Sequence, residues 1–74
     1  MTDMQDAMTT FEAALICDRG NKSFESAAAI EEARDALLAD HGLTVAEYLR
    51  FRGELEADRG LRDMVIYKYQ EGCN

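Results

Sequence analysis

Apolar residues recur at steps of three and four along most of this chain, and no proline interrupts them. Such spacing gathers them on one side of an α-helix, which has about 3.6 residues per turn. Glycines divide the chain into four segments of this kind. We therefore expect an all-α fold, a small bundle of three to four short helices. The expected helices cover about residues 3–18, 24–41, 45–58 and 61–70.

The first segment combines an apolar face with an acidic first turn. Asp3 and Asp6 lie where the exposed N–H groups of a helix start favour negative charge. Gly20 is expected to end this helix in the left-handed conformation. The apolar face consists of Met4, Ala7, Met8, Phe11, Ala14 and Leu15.

The second and third segments carry clear helix-end signals. Ser23 or Ser26 is placed to cap the second helix, and Gly42 to terminate it. Thr44 and Glu47 have the spacing of a capping box, in which each side chain bonds to the other's backbone N–H. We therefore expect an angled corner between these two helices. The expected apolar positions are Ile30, Ala33, Leu37 and Leu38 in the second helix and Val45, Tyr48, Leu49 and Leu55 in the third.

The last segment, residues 61–70, fits two structures. Leu61, Met64, Val65 and Lys68 have helical spacing, whereas the run from Val65 to Tyr69 has a strand-like composition. A lone strand would need a partner strand in this chain or in a second copy. Helix is therefore the favoured prediction, with Gly60 expected to end the third helix before it.

The length of 74 residues allows one domain, residues 1–74, with one core. Cys17 and Cys73 are too few for a disulfide scaffold, and neither has a CxxC or Cys/His metal spacing. We expect free thiols, with Cys17 in the core and Cys73 in a frayed tail. With no long apolar run and no basic N-terminal region, this composition predicts a cytoplasmic protein.

The net charge of −7 is unevenly distributed. Residues 1–46 hold nine acids against three bases, a net of −6, and residues 47–74 hold six acids against five bases, a net of −1. Phosphate backbones and anionic membranes repel the first half. The charge therefore predicts a basic protein or nucleoprotein partner, with no direct nucleic-acid or membrane binding.

Carboxylates at helical spacing are the candidate partner-binding residues. Pairs at i,i+3 and i,i+4 lie about 5–6 Å apart on a helix surface, comparable to successive phosphates of a nucleic-acid strand. Such an acidic face could occupy a Lys/Arg-lined groove, although acidic helix faces are often only solubilising. The candidates are Asp3, Asp6, Glu31, Glu32 and Asp35.

A second set of candidates lies in the third and fourth segments. Arg52 falls inside the expected apolar stripe of the third helix and Glu56 at its edge. Either this stripe is an interface, or the core shifts toward Phe51 and Leu55 and the pair lies at its rim. Gly53 could admit another backbone or simply weaken the helix. Tyr67 and Tyr69 are residues that interfaces favour.

No combination of residues predicts catalysis, a cofactor or a metal site. A nucleophile with its base needs Cys or Ser beside His and an orienting group. His41 is instead explained as a residue at the negative end of the second helix. We therefore expect a protein without enzymatic activity.

In size, acidity and simplicity the chain resembles small acidic phage-encoded inhibitors, of the anti-CRISPR and DNA-mimic type. The resemblance is compositional and assigns no site residues. It implies a non-enzymatic inhibitor or adaptor that docks on a nucleic-acid-binding surface of a partner complex. The alternative is a homodimeric helical regulatory module, antitoxin-like or transcription-associated. The helix, Gly-Leu-Thr and helix of residues 33–49 resemble a ribbon-helix-helix antitoxin, a family that requires a basic N-terminal strand.

Overall fold

The computed structural model describes residues 1–21 and 23–73. Four helices follow one another, α1 (Asp3–Asn21), α2 (Ala27–Asp40), α3 (Val45–Ala57) and α4 (Arg59–Gly72). The described residues contain no strand, so the all-α prediction is confirmed and the last segment is a helix. The basic strand that a ribbon-helix-helix antitoxin requires is therefore absent from the described part of the chain.

Helix α1 is the central element, because it packs against each of the other three helices and most extensively against α4. Its buried positions cover a wider arc than the predicted stripe and include Thr9 and Glu12, whereas Met4 is exposed. The core cluster consists of Met8, Phe11, Leu15, Leu38, Tyr48, Phe51, Leu55, Leu61 and Val65.

The corner between α2 and α3 is built by local hydrogen bonds, as predicted. Gly42, at φ 70°, has the left-handed conformation. The N–H groups of Gly42 and Leu43 donate to the carbonyls of Ala39 and Leu38, the pattern of a Schellman helix end. Thr44 and Glu47 then form the predicted capping box. At the other end of α2, Ser26 is the N-cap.

The junction between α3 and α4 differs from its prediction. Gly60 does not end α3, because it lies in the first turn of α4, where its N–H donates to the Asp58 carboxylate at 2.8 Å. Asp58 is the N-cap of α4. Arg62 donates to the carbonyls of Leu55 and Glu56 at the end of α3. A cation thus meets the negative end of that helix.

The prediction of free thiols is wrong, because Cys17 and Cys73 form a disulfide with Cα atoms 5.7 Å apart. The bond joins α1 to the residue that caps the end of α4. The error arose because cysteine number and spacing carry no information on which helix ends meet in space. Gly20 was also predicted wrongly, since α1 continues through it to Asn21. The disulfide and the α1–α4 contact hold this last turn.

The predicted apolar stripe of α3 is wrong at two positions. Val45 and Leu49 are exposed, and the buried face consists of Tyr48, Phe51 and Leu55. The core therefore lies toward Phe51, which is the alternative that the sequence allowed. No other part of the described structure comes within 4 Å of a side chain added at Gly53, so no backbone of the chain itself approaches this glycine.

No helix within residues 1–21 and 23–73 is long and apolar enough to span a lipid bilayer.

Candidate partner-binding surfaces

The three acidic candidates on α2 are all exposed. Glu31, Glu32 and Asp35, which we call the α2 acidic face, lie on the solvent side of the helix, and only Leu38 of α2 is fully buried. Glu31 and Glu32 make no ion pair or hydrogen bond with the described residues. Small alanines accompany them on the exposed surface of α2, at positions 27, 28, 36 and 39. The carboxylates are therefore sterically accessible.

The one base within α2, Arg34, packs toward α3 and also pairs with Asp35, one of the three acids of this face. Its guanidinium lies over the ring of Tyr48, with 5.5 Å between the guanidinium carbon and the ring centroid. It also contacts the Asp35 carboxylate at 3.0 Å. The half-buried Arg34 thus packs against α3 by a cation–π contact. Its charge offsets Asp35 and leaves Glu31 and Glu32 without a counter-charge on α2.

The acidic candidates on α1 have different surroundings. Asp3 is exposed. Asp6 forms an ion pair with Lys68 of α4 at 2.7 Å, and the Lys68 ammonium also donates to the Asp6 carbonyl. The same ammonium contacts the hydroxyls of Thr9 and Thr10, each at 2.9 Å. Asp6 therefore helps to fix α4 against α1, and its charge is largely neutralised within the chain.

Arg52 and Glu56 do not pair with each other. Arg52 instead contacts Glu12 of α1 at 3.0 Å, where its side chain is 44% exposed and that of Glu12 is 8% exposed. Glu56 is exposed. The other carboxylate oxygen of Glu12 is buried and accepts no hydrogen bond. Arg52 therefore lies at the rim of the core, where it partly compensates a buried charge.

Tyr48 lies next to this ion pair. Burial is the main cause that raises the pKa of the Tyr48 hydroxyl above its ordinary value of 10.0, and the negative charge of Glu12 raises it further. The positive charges of Arg52, Arg19 and Arg34 oppose the shift. The Tyr48 ring packs edge-on against Phe11, with centroids 5.3 Å apart. The structure thus favours the neutral phenol in the core.

The C-terminal tyrosines border a groove between α1 and α4. Tyr67 is 59% exposed and Tyr69 is 37% exposed. They line an open groove of about 540 Å³ together with Ala13 and Ala14 of α1 and the disulfide. Both tyrosines therefore border one groove, on a surface formed by different helices from the α2 acidic face.

The described residues contain no group of three or more His, Cys, Asp or Glu side chains that could hold a metal ion. Both cysteines are in the disulfide, so neither is available as a thiolate nucleophile. His41 is the C-cap of α2 and packs edge-on against Phe11. Its position agrees with the predicted role at a helix end.

Two of the residues that organise these surfaces were missed in the sequence, although each leaves a signal. Glu12 has helical spacing with Met8 and Leu15, so the sequence places a charged residue on the core-facing stripe of α1. Lys68 has the same relation to Leu61 and Val65. A charge on a core-facing stripe predicts an opposite charge on the facing helix. The sequence does not indicate which residue supplies it.

Comparisons of the chain with protein-family models, with curated proteins and with solved structures find no match.

Proposed function

We propose that this protein is a non-enzymatic inhibitor or adaptor that docks the α2 acidic face on a basic, nucleic-acid-binding surface of a partner complex. It would then act in the manner of a DNA mimic or an anti-CRISPR protein. The observation that carries the proposal is the exposure of Glu31, Glu32 and Asp35 on one helix, with Arg34 folded against Tyr48.

The spacing, the accessibility and the charge of the α2 carboxylates support this proposal. Carboxylates three and four residues apart on a helix lie about 5–6 Å from one another, so a groove that holds successive phosphates could hold them. The small side chains of the exposed alanines of α2 let the carboxylates project beyond the surrounding surface. A net charge of −7 would also accelerate association with a cationic partner.

The proposed site of action is the cytoplasm, where a cell's own nucleic-acid-handling complexes work. The Cys17–Cys73 disulfide does not itself favour this location, because disulfides are rare in that compartment. Action there requires that the helices stay folded when the Cys17–Cys73 bond is reduced.

The test is an affinity capture with three baits. These are the wild type, E31Q/E32Q/D35N, and the control E54Q/E56Q/D63N, which removes the same charge from exposed positions of α3 and α4. We expect the wild type and the control to retain a basic nucleic-acid-binding protein that added duplex DNA releases. The α2 variant should lose it. Retention by all three baits, or a partner that DNA does not release, would contradict the proposal.

A homodimeric regulatory module is the second candidate, and a specific observation favours it. Val45 and Leu49 are exposed on α3 one turn apart, and Arg52 and Glu56 continue the same stripe along the helix. Such a stripe suits a helix–helix contact between two copies. Sedimentation of the wild type and of Leu49→Asp over a range of concentrations tests this candidate. A dimer that Leu49→Asp dissociates would support it, and a monomer at every concentration would exclude it.

A further inference from the structure

The groove between α1 and α4 is a second surface with its own chemistry. Its floor is formed by the small side chains of Ala13 and Ala14, and the disulfide lies along its edge. Its volume of about 540 Å³ falls in the range of ligand-binding clefts, about 300–1,000 Å³. A groove of this size accommodates one or two side chains of a partner.

The walls of the groove are mainly apolar. Tyr67 is 59% exposed, whereas Val65, two residues earlier and nearly opposite on α4, is buried. Exposed tyrosines beside a small-residue floor are typical of interface anchors, because the ring contributes large contact area and its hydroxyl remains solvated. The groove therefore offers contact area that the chain itself does not use.

The charge of the groove is also uneven. Lys68 lines it, but its ammonium is fully engaged by Asp6, Thr9 and Thr10. Glu71 lines it as well, is exposed, and has no ion pair with the described residues. Glu71 lies one turn after Tyr67 on α4, so its carboxylate and the Tyr67 ring share one side of the helix. A cation there gains both a charge contact and a cation–π contact.

We infer that this groove binds a segment of a basic partner in which an apolar side chain is adjacent to a lysine or arginine. The apolar side chain lies on Ala13 and Ala14, and the cation lies between Glu71 and the Tyr67 ring. For this groove, the Glu71 carboxylate and the net charge of −7 favour a basic partner over a second copy of the chain. The inference rests on the proposed function for the basic character of the partner, but it concerns a different surface.

The test uses three synthetic peptides whose binding is followed by the backbone amide signals of the ¹⁵N-labelled protein. The first alternates leucine and lysine, the second replaces leucine by serine, and the third replaces lysine by glutamate. We expect the first to shift signals of Ala13, Ala14 and Tyr67. The serine peptide should shift only signals of the α2 acidic face, and the glutamate peptide should shift neither set.

A pair of matched variants examines the groove itself. Tyr67→Ser and Leu49→Ser remove side chains that are equally exposed, on α4 and α3. We expect Tyr67→Ser to weaken the leucine–lysine peptide about tenfold, the effect of losing a tyrosine anchor. Leu49→Ser should bind it as the wild type does. Ala14→Phe, which fills the groove, should also weaken binding.

The outcomes separate the two proposals. Equal binding by Tyr67→Ser, Leu49→Ser and the wild type would overturn the groove assignment, as would groove signals that shift with protein concentration in the absence of peptide. The latter result would identify a second copy as the occupant. If E31Q/E32Q/D35N captures the partner as the wild type does, and the leucine–lysine peptide still shifts its groove signals, the groove assignment holds and the proposed role of the α2 acidic face fails. If the leucine–lysine peptide shifts signals of the α2 acidic face but not of the groove, the proposed function is retained and the groove assignment is contradicted.

Discussion

Glu12 and Arg52 show how one ion pair can set the position of a helix. Glu12 is buried on α1, and its single polar contact among the described residues is the Arg52 guanidinium of α3. Removing one member of a buried pair leaves the other charge without compensation, which costs more than the pair contributes. Because Arg52 is partly exposed, solvent screens part of this cost.

We therefore expect Arg52→Gln to lower the free energy of unfolding by about 1–3 kcal/mol. Arg50→Gln is the matched control, since Arg50 is exposed on the same helix and makes no ion pair or hydrogen bond with the described residues. It should change stability by less than about 0.5 kcal/mol. Urea denaturation of both variants measures the difference, and equal stabilities would contradict the role assigned to Arg52.

The raised pKa of Tyr48 predicts a loss of stability in alkali. Below its ordinary value of 10.0 the hydroxyl is protonated in both the folded and unfolded chains, so it has no effect on stability there. As the pH rises above that value, the unfolded chain loses this proton first, and the free energy of unfolding falls. The wild type should lose stability more steeply than Tyr48→Phe above about pH 10. Parallel pH profiles would contradict the assignment.

At the scale of elements, alanine substitutions of Gly42, at the α2–α3 corner, and of Gly53, inside α3, should have opposite effects on stability. Gly42 has φ 70°, so Gly42→Ala forces a side chain into the left-handed region and should destabilise by about 1 kcal/mol. Gly53 is inside α3 with open space around it, so Gly53→Ala should stabilise by about 0.5–1 kcal/mol. Thermal unfolding of both variants provides the measurement. Shifts of the same sign would contradict this description of the corner.

Helix positions could be predicted because their determinants are local. The capping box at Thr44 and the Schellman end at Gly42 each involve residues within five positions of one another, so spacing alone identifies them. The N-cap at Asp58 is equally local, but Gly60, two residues later, also has the character of a helix end, and the prediction followed that glycine. Helix α1 also begins with reciprocal bonds between Thr2 and Gln5, a pattern visible in the sequence.

Contacts between helices could not be predicted in the same way. The disulfide joins residues 56 positions apart, and Lys68 reaches Asp6 across 62 positions. Helical periodicity defines which face of a helix is apolar but leaves its rotation against a neighbour open by about one residue. The α3 stripe illustrates this, since Val45 and Leu49 were predicted in the apolar stripe and are exposed, whereas Phe51 was left out of it and is buried. The α2 acidic face could be predicted because it requires only that its residues lie on the exposed side of one helix, not that they meet another helix.

For the whole molecule, the disulfide is the longest-range covalent constraint. It closes a loop in the unfolded chain and lowers the conformational entropy of that state, so C17S/C73S should lower the free energy of unfolding by roughly 2–4 kcal/mol. The four helices should persist, because the core cluster includes neither cysteine. Circular dichroism during thermal unfolding checks both points. A reductant should lower the wild-type midpoint to that of the variant, and a midpoint insensitive to reductant would contradict the bond.

The central claim is that an exposed acidic helix face binds a basic partner by charge. Its most direct test is the salt dependence of affinity for the captured partner, measured by titration calorimetry at a series of salt concentrations. Binding by charge predicts a steep loss of affinity with salt for the wild type and the E54Q/E56Q/D63N control, and weaker binding with a shallower slope for E31Q/E32Q/D35N. Equal affinities and equal slopes for all three proteins would contradict it.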